Sequence, residues 1–218
     1  ELIQLVSFGE ALRMEEEAGR RGKSFRLKTF FSGWVASEAI VEGRADLIPS
    51  RFSTIYRLFR NGRIPIDAAF VQVTPPDEEG YCSLGVAVDA ARHAMEQAEI
   101  VVGEVNADIP FTFGDTLVHT TEFDYLVESR CDPIYLDRWP YDDVYERVAE
   151  NVASLIEDGD CLSFYTGPLF EALGKQLTGK RNLGVHSSAF TDSLMELVRC
   201  GAITNRKKAV FKGRSLVS

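Results

Sequence analysis

Short apolar runs alternate with amphipathic stretches of helical spacing, and this alternation restricts the fold more than any other property of the chain. Ala68 to Val73 is an apolar run interrupted only by Gln72 and bounded by Pro75-Pro76, the pattern of a buried parallel strand. Val86, Ala90, Ala94 and Met95 then recur at helical spacing within 86–98, and Ile100 to Val105 forms the next apolar run. Strand, helix and strand in this order predict an open, mostly parallel α/β sheet with right-handed crossovers. Upstream, strands are expected over Leu2–Phe8 and Phe25–Phe31, separated by a charged loop carrying Glu15, Glu16, Glu17, Arg20, Arg21 and Lys23. Two helices follow: Val35–Glu42, closed by Gly43, and Arg51–Arg60, with Ser50 as N-cap and Asn61-Gly62 as the stop.

A proline-bracketed aromatic linker, Pro133 to Pro140, interrupts this pattern, and the alternation then starts again. Helices are expected at Val144–Ile156, Leu169–Leu177 and Leu194–Val198, and strands at Cys161–Phe164 and Leu183–His186. In the first of these helices Val148, Val152, Leu155 and Ile156 mark the apolar face. Ser215–Ser218 reads as the beginning of another strand. The expected organisation is a first α/β domain over residues 1–140 and the opening, incomplete part of a second over 141–218. On this reading a carboxyl-terminal half of the same polypeptide is missing, and the exposed unfinished domain should favour homo-oligomers.

Charge and cysteine usage narrow the function classes. Thirty-three acidic residues against 24 basic give a net charge of -9, the opposite of a nucleic-acid-binding surface. No run approaches the roughly 20 apolar residues of a membrane span, and Glu1-Leu2-Ile3-Gln4 lacks the basic flank of a signal peptide. Cys82, Cys131, Cys161 and Cys200 are spaced for neither a disulfide framework nor zinc, so buried free thiols in a reducing cytoplasm are expected.

Turn and polar residues concentrate in the segment from Gln72 to Gly85, which leaves the carboxyl end of a strand, where open α/β sheets bind ligands. Gly80 and Gly85 allow tight turns and a close backbone approach to a ligand, and the amides of Ser83 to Val86, at an expected helix start, are placed to face an anion. An ordinary strand-to-helix loop has the same composition. Gln72 is unusual in a buried strand, because its amide needs partners; it is satisfied internally or it reaches into a site.

The segment DAAFVQVTPPDEEGYCSLGVAVD (67–89) resembles the hallmark of the acetyl-CoA hydrolase/transferase family. In the same order, EGRADLIPSRFSTIYRLFRNGRIPID (42–67), EVNADIPFTFGDTLVH (104–119), VAENVASLIEDGD (148–160) and LGVHSSAFTDSLMELVRCGAITNRKK (183–208) are similar to further family segments. The resemblance implies CoA-transferase-like domains with acyl-CoA held between them as substrate, a small carboxylic acid as the second substrate, and no tightly bound cofactor. It implies binding roles for Gly33, Gln72, Gly80, Ser83, Gly85, Asn106 and Gly167. It also implies covalent catalysis: a glutamate attacks the thioester to form an acyl-glutamyl anhydride, and the released thiolate then gives a glutamyl-CoA thioester. Backbone amides and a side-chain amide such as that of Gln72 would stabilise the oxyanions.

Three departures concern this chemistry. The family's His-Thr-Glu becomes His186-Ser187-Ser188, so Ser188 stands where the glutamate is expected. The Gly-Ile-Gly turn becomes Tyr165-Thr166-Gly167, and the Gly-Pro-Asn-like turn becomes Gly33-Trp34-Val35. His186, two residues from Ser188 in an extended segment, is placed to serve as its base or to hold a structural role, and Glu196 is placed to reach back from a helix. His93 and His119 read as surface or internally satisfied residues. The basic run Asn205-Arg206-Lys207-Lys208, with Lys212 and Arg214, reads as a solvated edge or a phosphate contact, and Trp34, Trp139 and the phenylalanines as packing residues.

Overall fold

A computed structural model describes residues 1–5, 26–32 and 37–217, which form two compact units, Glu1–Ile134 and Tyr135–Ser218. Gly33, the charged loop of 15–23 and the expected strand beyond residue 5 lie outside the described residues.

The first unit opens with a parallel sheet of β1 (Leu2–Gln4), β2 (Leu27–Thr29) and β3 (Ala45–Leu47), in that order. Helix α1 (Ser37–Val41) packs Ala39 against Leu27 and Ala45 and is closed at Gly43, whose φ of 73° suits glycine. Helix α2 (Phe52–Arg60) buries Ile55 and Phe59 against Phe30, and Asn61 caps its carboxyl end. Its N-cap is Arg51, not the expected Ser50; the Ser50 hydroxyl lies 2.9 Å from that of Thr54 instead.

Strands β4 (Ala68–Val73), β6 (Ile100–Val105) and β8 (Tyr125–Glu128) form a second parallel sheet in the order β4-β6-β8. One face buries Ala69, Val71, Val73 and Val101 with Cys82, Leu84, Met95 and Val118. The expectation that β4 is buried on both faces is corrected: Phe70 is 74% exposed, because α3 (Ala91–Gln97) packs Met95 on the opposite face. The expected helix over 86–98 also begins later, at Ala91. Residues before it are spent in β5 (Tyr81–Ser83), which pairs antiparallel with β7 (Leu117–His119), and in a turn through Gly85 at φ 64°.

In the second unit β9 (Cys161–Leu162), β10 (Gly184–Ser187) and β11 (Leu216–Val217) make a parallel sheet with β10 in the centre. Asp142 caps α4 (Asp143–Leu155), accepting the amides of Val144 and Tyr145 at 3.0 and 3.1 Å. Ala149 and Ala153 form the buried stripe of α4, so the apolar face lies to one side of the expected one and leaves Val148 and Leu155 exposed. Helices α5 (Pro168–Gln176) and α6 (Asp192–Arg199) complete a core of Leu162, Leu173, Val185, Leu194 and Leu197.

The basic run is not a solvated edge throughout. Lys208 is buried, donating from Nζ to the carbonyls of Val185 at 2.6 Å and Arg214 at 2.9 Å. Its stem lies on Gly184, where a Cβ would stand 2.6 Å from Lys208 Cγ. Asn205, at φ 57°, accepts the Val185 amide at 2.8 Å and donates to Ser215 at 3.1 Å. These residues hold β10 against the segment that leads to β11. Of the four cysteines only Cys82 is buried, and there burial pushes its thiol pKa up; Cys131, Cys161 and Cys200 are exposed, and all four are free.

Candidate functional site

Two groups of candidate residues emerge, one in each unit. In the first, a cavity of about 320 Å³ opens at the carboxyl ends of β4, β6 and β8, lined among others by Pro75, Asn106, Asp108, Ser129, Arg130 and Asp132. Parallel strands end there together, which is why open α/β sheets place ligands at this edge. Asn106 is buried at its base, with its Oδ1 accepting the Asp108 amide at 2.9 Å and its Nδ2 donating to the Cys131 carbonyl at 3.2 Å. Its backbone amide donates to Val73 at 2.8 Å, so one residue ties the ends of β4 and β6 to the loop after β8.

Gln72 pairs in register with Glu104 on the neighbouring strand, and its Nε2 donates to Glu104 Oε2 at 3.5 Å. Glu104 Oε1 also accepts the Ser129 hydroxyl at 2.7 Å. The internal alternative therefore describes the Gln72 side chain; Ser129 lines the cavity and Glu104 links it to Gln72, and the sequence pattern singles out neither.

Gly80, Ser83 and Gly85 have a different setting. Gly80, at φ 86°, packs against the His119 ring, where a Cβ would lie 2.8 Å from Nε2. Gly85, at φ 64°, packs against Ile109, with 2.9 Å available to a Cβ. Ser83 is buried and its Oγ accepts the amides of Thr112 and Gly85 at 3.0 and 3.1 Å. The expected anion-facing amides are corrected accordingly: Ser83 N donates to Thr74 Oγ1 at 2.9 Å and Leu84 N to the Thr116 carbonyl at 2.9 Å. They belong to a strand and its turn, not to a helix start. His119 caps the turn Thr120–Glu122, and His93 contacts Glu96, as expected of satisfied histidines.

In the second unit, Ser188 follows the central strand β10 directly, and its side chain and that of His186 are both exposed. Among the described residues no hydrogen bond joins the two. Between them, Ser187 points the other way and is buried; its hydroxyl accepts the Phe164 amide at 2.9 Å and donates to the Phe164 carbonyl at 2.5 Å. This one side chain ties Phe164, in the segment after β9, to the end of β10 that leads into Ser188. Gly167 N-caps α5 at φ 138°, and nothing lies within 4 Å of where its Cβ would be. Replacing Ser187 by Ala should cost about 1–2 kcal/mol, read as a lower urea midpoint, because it leaves both Phe164 groups buried without partners.

The chain's other support is Arg138. Its Nε and Nη2 donate to Glu171 Oε2 at 2.9 and 2.7 Å, and Nη1 reaches Glu196 Oε1 at 2.5 Å. Ser193 donates to the same Glu171 oxygen at 2.7 Å, close to where Gly174 lets α5 and α6 approach. Hydrogen bonds that the guanidinium donates to Glu196 and then to Glu171 hold it far above its ordinary pKa. The idea that Glu196 reaches back toward residue 188 is set aside, since its carboxylate is engaged by Arg138.

An open parallel sheet with polar residues gathered at the carboxyl ends of its strands is the class of α/β fold in which ligands bind at that edge. Residues 4–136 match the model of the acetyl-CoA hydrolase/transferase N-terminal domain, and the chain belongs to that family. It is 38% identical over 218 residues to the 4-hydroxybutyrate coenzyme A transferase of Clostridium kluyveri, covering all of this chain and 50% of that one. It is 37% identical over 196 residues to the succinyl-CoA:acetate/propanoyl-CoA:succinate CoA transferase of Fasciola hepatica, covering 89% of this chain and 41% of that one. Among solved structures, it resembles the 4-hydroxybutyrate CoA-transferase of Porphyromonas gingivalis with a TM-score of 0.77 and 31% identity, over 99% of this chain and 57% of that one. RipA of Yersinia pestis aligns with a TM-score of 0.84 and 26% identity, over 92% of this chain and 54% of that one. The chain thus spans about half the length of the curated relatives it matches. No helix among the described residues is long and apolar enough to cross a membrane.

Proposed function

We propose that the protein engages acyl-CoA and a small carboxylic acid as a CoA-transferase-family protein, with Ser188 at the position of the acyl-accepting glutamate. The observation that supports this reading is the exposed placement of Ser188 at the carboxyl end of β10, next to Ser187, whose hydroxyl binds the backbone of Phe164 after β9. In glutamyl exchange, a carboxylate oxygen bonds to the thioester carbonyl carbon, the C–S bond breaks and the thiolate leaves. The thiolate then attacks the glutamyl carbonyl of the anhydride and expels the acyl group as a carboxylate. Both bonds formed are as activated as the bonds broken, so the exchange stays balanced. A serine hydroxyl must first give up its proton, and the ester it forms is far less activated than an anhydride. A second carboxylate does not displace it readily. His186 is near enough in sequence to act as the base, yet as placed it makes no bond to the hydroxyl.

The same substitution favours a second reading, a non-catalytic acyl-CoA-binding module of a larger protein. Incubating the complete gene product with acetyl-CoA and an acceptor acid, then trapping with borohydride or hydroxylamine, separates the two. The expected result for the first reading is a covalently modified residue or CoA adduct found by mass spectrometry. Saturable acyl-CoA binding without any adduct selects the module, and no binding at all rejects both.

A further inference from the structure

Two connections leave the carboxyl ends of the paired strands β9 and β10. The first, 163–167, ends in Gly167, the N-cap of α5, and the second, 188–191, ends in Thr191, the N-cap of α6. On the strand side they are tied by Ser187, which binds both backbone groups of Phe164. On the helix side a second tie joins the first turns of α5 and α6. Ser193 is buried, and its Oγ donates to Glu171 Oε2 at 2.7 Å. Glu171 and Gly174 are three residues apart and share one face of α5. Gly174 brings that face so near that a Cβ there would stand 2.8 Å from Ser193 Cβ. Arg138 donates to the same Glu171 oxygen from Nε and Nη2, at 2.9 and 2.7 Å, so the acceptor of Ser193 is itself held in place.

Each connection is therefore fastened at the sheet and again just past its helix start. A helix start that slides carries its connection with it, and a misplacement of about 1 Å can cost a site about 100-fold. We infer that Ser193 is a positioning residue for the candidate site: through Glu171 it sets the spacing of the α5 and α6 starts, and with it the placement of Gly167 and Ser188. It acts through the two helices and not on a ligand. This inference rests on the reading of Gly167 and Ser188 as parts of an acyl-CoA site.

The test compares Ser193→Ala with Gly174→Ala in the complete gene product. The first removes the hydroxyl, keeps the Cβ that packs on Gly174 and leaves Glu171 its bonds from Arg138; the second pries the helices apart. Acetyl-CoA affinity is measured by calorimetry, and backbone amide exchange by mass spectrometry. Both variants should bind acetyl-CoA about tenfold more weakly, with faster exchange confined to 163–167 and 188–191 and none gained in α4. Glu171→Gln retains an acceptor oxygen for Ser193 and should stay within about twofold of the parent. If Gly174→Ala does not fold, Ser193→Ala decides alone. Unchanged affinity in Ser193→Ala, or exchange that rises evenly through the second unit, overturns the inference and leaves the cluster a structural one. A parent that binds no acetyl-CoA sinks the reading of the site instead, and exchange in the two connections still decides whether Ser193 sets their placement.

Discussion

Replacing Ser188 by Glu in the complete gene product should raise the rate of CoA exchange between acetyl-CoA and a small carboxylate by at least about 100-fold. The change restores an acceptor whose acyl derivative is an anhydride, so the second carboxylate meets an activated carbonyl in place of an ester. The local geometry tolerates it, since position 188 is exposed and the turn is held from beneath by Ser187, whose hydroxyl binds both backbone groups of Phe164. The measurement is the appearance of the new acyl-CoA by chromatography, with trapped glutamyl-CoA at residue 188 as the second readout. Folded S188E with no gain over the parent would show that residue 188 does not stand in the line of attack. Ser188→Ala separates the parent's own chemistry from background: any serine-dependent hydrolysis disappears with it.

The largest stability effect should come from Glu171→Ala. One oxygen of that buried carboxylate accepts from Arg138 Nε, Arg138 Nη2 and Ser193 Oγ, at 2.9, 2.7 and 2.7 Å. Removing it leaves Ser193 buried without its acceptor and Arg138 with Glu196 as its remaining carboxylate. Loss of one partner of a well-buried pair costs about 3–5 kcal/mol, but the Arg138 side chain is 44% exposed and is rehydrated in part. A fall of about 2–3 kcal/mol in unfolding free energy is therefore expected from urea titration. Pairing Glu171→Ala with Arg138→Ala should recover roughly 1 kcal/mol relative to the sum of the single changes. Strict additivity would mean that the cluster does not act as a unit.

Family, element types and strand–helix order were legible without coordinates. Proline and glycine punctuate the chain at Pro75-Pro76, Gly43 and Asn61-Gly62, and apolar spacing marks β4, β6 and the helices of the second unit. The expected strand at the last residues is present as β11, paired with β10. The antiparallel β5–β7 pair was not legible, because Tyr81–Ser83 and Leu117–His119 are too short to show a period and meet only through long-range register. The helical spacing over 86–98 failed for a related reason. Gly85 turns the chain and internal acceptors claim the amides of Ser83 and Leu84 before a helix begins.

Of the candidate site, the sequence determined which residue types stand at the ends of the strands, Gln72, Asn106, His186 and Ser188, and at the start of α5, Gly167. Only the tertiary structure decided what each does. It engages Gln72 with Glu104, buries Asn106 as a tie between strands, and makes Ser83 and Lys208 internal. It leaves Ser188 and His186 facing outward and Phe70 bare. Spacing along a chain reports torsional preference and alternation, which act over a few residues. Hydrogen-bond partners and covered faces are set by segments tens of residues apart, brought together only when the sheet assembles.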